Sequence, residues 1–369
     1  MKLLVVADMH LAYTSSILPI FHSDSMYTTR LQYMTDTVKW YEDLAKKENV
    51  AYIINLGDLT DANILRSEEI TALSEAYACR NQDSIPEIYI VGNHDMLTDD
   101  HRFSATTILS RIPNFYVYTE PTKMTLTAND ETIETTLLPY INWKKIDHEF
   151  LKKWNSDILF SHIDIMGSSL YKVFGNDIGI DPNLLEMYFN QVYNGHIHLQ
   201  EHLDTKKEAI WNVGSLTSLS FSDSNKYIPG AHIIDTKTGE LKTVENPYNI
   251  LFRKMKVSSL SDLIDRLKKY DLKYKYVLRV EIPFNIREDA KKLIEKEENI
   301  IAYRLLLDRK NISLTNESKA NLEIIDKNNI RYKFMDFIKS FADENDKELK
   351  YPVASYINLI SSMESGGKK

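Results

Sequence analysis

The sequence predicts an α/β fold: a two-layered β-sheet sandwich core flanked by helices, then a smaller α/β capping domain and a helical C-terminus. Three observations predict it. Over residues 1–95, short apolar runs alternate with helical periodicity, the pattern of parallel strands joined by right-handed crossovers. After residue 200 the chain turns β-rich. Beyond residue 250 a compact β-α-β-α-β pattern repeats the alternation on a smaller scale.

Residues 3–7 are the first apolar run, and 29–48 the first helix, with Leu31, Met34, Val38, Tyr41 and Leu44 at three- and four-residue steps. Residues 51–56 and 87–90 read as strands around a helix at 68–80. Segments 124–128 and 132–138 flank Asn129-Asp130 as a hairpin. A helix is expected at 147–154 and a strand at 157–160. Asp181-Pro182 is a cap and first-turn pair for a short helix through Phe189. Strands are expected at 191–194, 209–213, 231–235 and 241–245, the last two joined at Lys237-Thr238-Gly239. In the capping unit, 252–257, 274–282 and 302–307 are strand-like, and 259–269 and 287–297 helical. Residues 311–329 are polar, 330–343 form an amphipathic helix, 353–363 are apolar and 364–369 a loose tail. The expected domains are therefore 1–250, 251–310, a linker at 311–329 and a helical partner-docking region at 330–369.

A chain of 369 residues, 43% of them hydrophobic, is long enough for one large core and a smaller one. Met1-Lys2 runs straight into a strand and no apolar stretch reaches membrane-spanning length, so the expectation is a cytoplasmic protein without a leader. The single cysteine, Cys79, excludes an internal disulfide and is expected as a small core hydrophobe. Net charge is −8 but uneven: −14 over residues 1–250 and +6 over 251–369. An acidic first part suits divalent cations and a basic second part suits a polyanion.

The chemistry gathers where apolar runs end. Asp8 and His10 follow the first run, Asp58 and Asp61 the second, and Asn93 and His94 the third. His162 follows 157–160, and His196 and His198 follow 191–194. In open α/β sheets, ligand groups collect beyond the carboxyl ends of strands. Asp8, His10, Asp58, Asn93, His162, His196 and His198 are seven mixed nitrogen and oxygen donors, too many for one tetrahedral ion. They suggest two divalent ions sharing a carboxylate. The histidine content disfavours Mg²⁺ and Ca²⁺ and favours Mn²⁺, Fe or Zn²⁺. Such a pair activates water and clamps both oxygens of a displacement at phosphorus. His22, His101, His148, His202 and His232 are expected at the surface or in support.

The order Asp-x-His, Gly-Asp-x-x-Asp, Gly-Asn-His-Asp, His, Gly-His-x-His resembles the calcineurin-like metallophosphoesterase signature over residues 1–250. The resemblance implies one metal on Asp8, His10 and His198, another on Asn93, His162 and His196, and Asp58 between them. It implies His94 as the residue that orients the scissile phosphate or protonates the leaving oxygen, with Asp61 orienting His94. The segment from Asn212 to Asp223 is similar to the Gly-Ser/Thr-rich stretch of SbcD-type DNA repair nucleases, phage members included. That likeness implies a Mn²⁺-dependent DNA nuclease acting as a homodimer with a coiled-coil ATPase of the SbcC type, with the Lys and Arg of the capping domain at 251–310 holding the DNA backbone. The ATP site would be the partner's, because this chain has no Gly-rich loop ending in Lys-Ser/Thr. Rival readings are a phosphatase or phosphodiesterase of small nucleotides, and a non-catalytic scaffold for DNA ends.

Overall fold

Leu3, Val5 and Ala7 pack on one side of the first strand, β1 (Lys2–Val6), and Leu4 and Val6 on the other. That two-sided burial explains why the run is apolar throughout instead of alternating. The computed structural model describes residues 1–12, 27–96, 104–168, 171, 178–221 and 228–307. Residues 1–307 form one compact unit. The linker and docking helices expected within 308–369 lie outside the described residues, as do His22 and His101.

Two six-stranded sheets build the sandwich. The first sheet runs β12 (Leu241–Glu245), β11 (Gly230–Asp235), β1, β2 (Tyr52–Asn55), β3 (Glu87–Ile90), β4 (Phe115–Tyr118). Its β1 to β4 are parallel, and β11 and β12 add antiparallel. The second sheet runs β5 (Thr122–Ala128), β6 (Glu131–Leu138), β7 (Ser156–Ser161), β8 (Phe189–Asn194), β10 (Ile210–Asn212), β9 (Glu201–His202). There β6, β7, β8 and β10 are parallel. Between the sheets lie Leu3, Val5, Ile54, Ile88, Phe160 and Tyr193, all buried. Helices α1 (Thr29–Glu48) and α2 (Ser67–Ala76) cover the outer face of the first sheet. Helix α3 (His148–Lys153) packs on the second with Ile163, Leu185 and Val192.

The first helix matches its expected bounds. Thr28 caps its N-terminus by accepting from the Leu31 N–H, and Asn49 ends it in the left-handed conformation. Helix α2 stops at Ala76, four residues short of expectation. The Arg80 guanidinium is drawn inward to Glu42, to Glu87 at 3.3 Å, and to the carbonyls of Ile85 and Asn114 at 2.7 and 2.8 Å. Cys79, on the turn this creates, is exposed and not a core residue. The helix expected through Phe189 is one turn, Pro182–Leu185, since Phe189 is already paired with Ser156. Elements not expected are the edge strands β4 and β9 and the 3₁₀ segments Ala105–Arg111, Trp143–Lys145 and Phe284–Ile286.

Ile250–Lys256 (β13), Lys275–Ile282 (β14) and Ile300–Leu307 (β15) form a separate parallel sheet, with helices Leu260–Leu267 and Arg287–Ile294 on one face. The opposite face carries Phe252 and Val277, which pack with Tyr33 of α1 and with Phe221.

His232 is not at the surface. It is buried in β11, with Nδ1 3.1 Å from Thr243 Oγ1 and Nε2 unpartnered among the described residues. Burial lowers its pKa to about 4 from 6.5. A base depressed on folding contributes stability above its unfolded pKa and loses it as pH falls from 6.5 through 4. Urea melts of His232→Leu are therefore expected to fall less steeply than wild type below pH 6.5, by about 1 kcal/mol per pH unit. Parallel curves would show that His232 is already charged in the native protein.

Candidate metal centre

Backbone hydrogen bonds zip the strand-end loops together. Asp8 N–H donates to Gly57 O at 3.0 Å, His10 N–H to Asp58 O at 2.9 Å and Gly195 N–H to Ser161 O at 2.9 Å. Asp8, His10, Asp58 and His196 all hold positive φ, between 49° and 68°. Four such residues at the ends of three strands, β1, β2 and β8, turn the chain back over one pocket, at a conformational cost of about 1–3 kcal/mol each.

Three glycines let the loops close. A Cβ on Gly57 would lie 2.7 Å from Gly92 N, one on Gly195 2.8 Å from Leu56 O, and one on Gly92 would overlap the Asp58 carboxylate. Gly92→Ala is expected to push Asp58 aside and weaken Mn²⁺ binding by about 10–100-fold in calorimetry, the usual effect of disturbing a ligand's support. Unaltered binding would mean that the Asp58 position is not critical.

All seven expected ligands meet here. Around one position stand Asp8, His10, Asp58 and His198: His10 Nε2 is 3.9 Å from Asp8 Oδ1 and 3.7 Å from Asp58 Oδ2, and His198 Nε2 is 3.9 Å from Asp8 Oδ1. Around a second stand Asp58, Asn93, His162 and His196. His162 Nε2 is 3.2 Å from Asp58 Oδ2 and 3.1 Å from Asn93 Oδ1, and His196 Nδ1 is 2.9 Å from Asn93 Oδ1. Asp58 Oδ2 thus lies between His10 and His162, and Asp58 Oδ1 accepts the His94 N–H at 2.8 Å.

The far nitrogens are spoken for. His162 Nδ1 lies 2.6 Å from the Leu56 carbonyl, His10 Nδ1 3.2 Å from Asp61 Oδ1, and His196 Nε2 3.0 Å from Asp164 Oδ1. Each contact places the proton on the nitrogen away from the cage and leaves the inner lone pair for a metal. The expected pairing of the Asp61 carboxylate with His94 takes another form. The carboxylate serves His10, and His94 Nδ1 donates to the Asp61 backbone carbonyl at 3.2 Å. His94 is exposed, with its ring 4.6 Å from that of His10 in an edge-on contact.

Whether the donors suit cations can be tested on the atoms themselves. Asp8 Oδ2, His10 Nε2 and Asp58 Oδ2 are buried without a hydrogen-bond partner among the described residues, a costly state for three polar atoms in one cage unless cations complete it. Burial alone would push Asp8 and Asp58 up, but surrounding histidines hold both below the usual carboxylate value. Burial opposes charge on His10 as well. Hydrogen bonds to Asp61 and Asp8 and the carboxylate charges override it and raise the pKa to about 10. A field that strong for a proton equally favours a divalent cation, which displaces the proton. The donors fit two ions.

Sequence reasoning gave no role to Asp95, Asp164 or Tyr140. Asp95 is buried and accepts from the N–H groups of Asp58 (3.0 Å), Gly92 (2.9 Å) and Thr60 (3.2 Å), and from the Tyr89 hydroxyl. It staples the Asp58 loop to the Asn93 loop, and burial followed by the Asp58 charge pushes it up to about 6. Its place at the end of Gly-Asn-His-Asp was the available signal. Asp164 also accepts the Tyr171 hydroxyl. Tyr140 sets its ring 5.7 Å from His196 and 6.3 Å from His162. His202 is occupied elsewhere, stacked on Trp211 at 4.4 Å.

A family model for calcineurin-like phosphoesterases matches residues 1–200. No curated protein matches the sequence. Among solved structures, TT1561 of Thermus thermophilus matches at 13% identity over 66% of this chain and 98% of its own, TM-score 0.40. Purple acid phosphatase PPD1 from yellow lupin (Lupinus luteus) seeds matches at 13% over 66% and 52%, TM-score 0.39. A dimetal phosphatase from Danio rerio matches at 12% over 63% and 91%, TM-score 0.36.

Proposed function

The chain belongs to the calcineurin-like phosphoesterase family, and from that premise we propose that it is a Mn²⁺-dependent DNA nuclease. The observation that carries the hydrolytic part is the cage of seven donors with three orphaned buried atoms at its centre. Asp8, His10, His198 and Asp58 would hold one cation, and Asp58, Asn93, His162 and His196 the other. Bound there, the pair supplies an activated water and neutralises charge building on the phosphodiester. His94 supplies the proton. With Nδ1–H tied to the Asp61 carbonyl, its Nε2 is the nitrogen free to serve the leaving oxygen.

The choice of DNA is supported by the excess of Lys and Arg beyond residue 250 and by the Gly-Ser/Thr-rich stretch. Gly214 turns there at φ 78°, and Ser215 N–H meets the His198 carbonyl at 3.0 Å. The test is end-labelled duplex DNA against an aryl phosphodiester, each with Mn²⁺. DNA cleavage at the higher kcat/KM supports the nuclease, and aryl hydrolysis with DNA cut no better supports a small-substrate phosphodiesterase.

The same reading has the chain act in the cytoplasm as a homodimer with an SbcC-type coiled-coil ATPase. Deleting residues 330–369 is expected to spare hydrolysis and abolish co-purification with that ATPase. An intact complex would end the docking role.

A further inference from the structure

In the three-stranded sheet, the register sets Lys254 opposite Arg279 and Arg279 opposite Arg304. All three stand on the face that carries Phe252, Val277 and Ala302, opposite the two helices. Like charges directly opposite on neighbouring strands destabilise a sheet. Among the described residues none of the three forms an ion pair, and Glu281 in the next rung is taken by Lys256 at 2.6 Å. Lys254 and Arg304 are exposed. Arg279 is half-buried, its guanidinium 4.3 Å from the Phe221 ring centroid and its Nε without a hydrogen-bond partner among the described residues.

With strands about 4.8 Å apart, the row is about 10 Å long. Each strand of a duplex carries one phosphate per ~3.4 Å of axis, so the row matches about three successive phosphates. Through Phe221, the ring under Arg279, it is also tied by a short stretch of chain to the candidate metal centre. Phe221 follows Ser215, which touches His198, by six residues, a reach of at most about 20 Å. We infer that the Lys254–Arg279–Arg304 row is a phosphate-backbone contact for the nucleic acid cut at the metal centre. The inference rests on the nuclease reading. Backbone contacts of this kind give affinity and position without sequence preference.

The experiment uses the full chain, a fluorescein-labelled duplex and EDTA, with anisotropy read across a salt series. Lys254→Ala/Arg304→Ala, which leaves Arg279 on Phe221, is expected to weaken binding roughly 10- to 60-fold at 0.1 M salt and to flatten the log–log salt slope by about two. Lys268→Ala/Lys269→Ala, an equal charge loss from exposed positions at the end of helix Leu260–Leu267, should leave the slope unchanged. Thermal melting checks the fold, and the row variant should melt no lower than wild type because a repulsion is gone. A wild-type slope in the row variant, or equal losses in both pairs, overturns the row while the nuclease reading stands. Wild type that neither binds nor cuts the duplex overturns both.

Discussion

Asp58→Asn is expected to abolish detectable turnover, a loss of about 10³-fold or more, and to leave fewer than two ions per chain. The substitution keeps shape. The amide oxygen can still accept the His94 N–H that Asp58 Oδ1 takes at 2.8 Å. What changes is the other atom. In place of Oδ2, between His10 Nε2 at 3.7 Å and His162 Nε2 at 3.2 Å, stands an NH₂ group with no lone pair to offer a cation. If Asp58 is shared by two cations, its loss weakens both positions at once, and Lewis-acid stabilisation worth several kcal/mol goes with it, each 1.36 kcal/mol being about tenfold in rate. Mn²⁺ calorimetry and anomalous scattering from soaked crystals measure the ion count directly. Two full-occupancy ions in the variant would refute Asp58 as the bridge.

His94→Ala is expected to lower turnover by about 10²–10⁴-fold with the metal content intact, the usual contribution of positioned proton transfer. The geometry separates it from the ligands. His94 is exposed, and the contact of its ring with the Asp61 carbonyl at 3.2 Å fixes Nδ1 as donor. The loss should shrink for substrates whose leaving group needs no proton, such as a nitrophenolate, and remain large for a deoxyribose oxygen. Equal losses on both would make His94 a phosphate-positioning residue, and loss of metal would make it a ligand.

The strand-end motifs were legible in the sequence because β1, β2, β3, β7 and β8 are buried on both faces, so their apolar runs stop abruptly at the polar loops. Helix α1 was equally legible, with its apolar stripe and Thr28 cap. What was not legible is what depends on distant partners. β4 is a half-exposed edge strand after Pro113, with little periodicity to detect. The early end of α2 is decided by the contact of Arg80 with Glu42, 38 residues away. The support of His196 by Asp164 joins residues 32 apart, and nothing local in either sequence announces it. Asp61 was recognised as belonging to the site, but which of its atoms meets His94 is a matter of loop geometry that spacing does not encode.

The left-handed backbone at Asp8, His10, Asp58 and His196 has an evolutionary corollary. Selection for folding stability alone disfavours all four residues, since glycine would relieve the torsion at each. A lineage released from hydrolysis should therefore erode at these positions first, gaining thermal resistance as it does. A gene duplicate carrying glycine at Asp8 or Asp58, and melting higher than this chain, would be the footprint of that release.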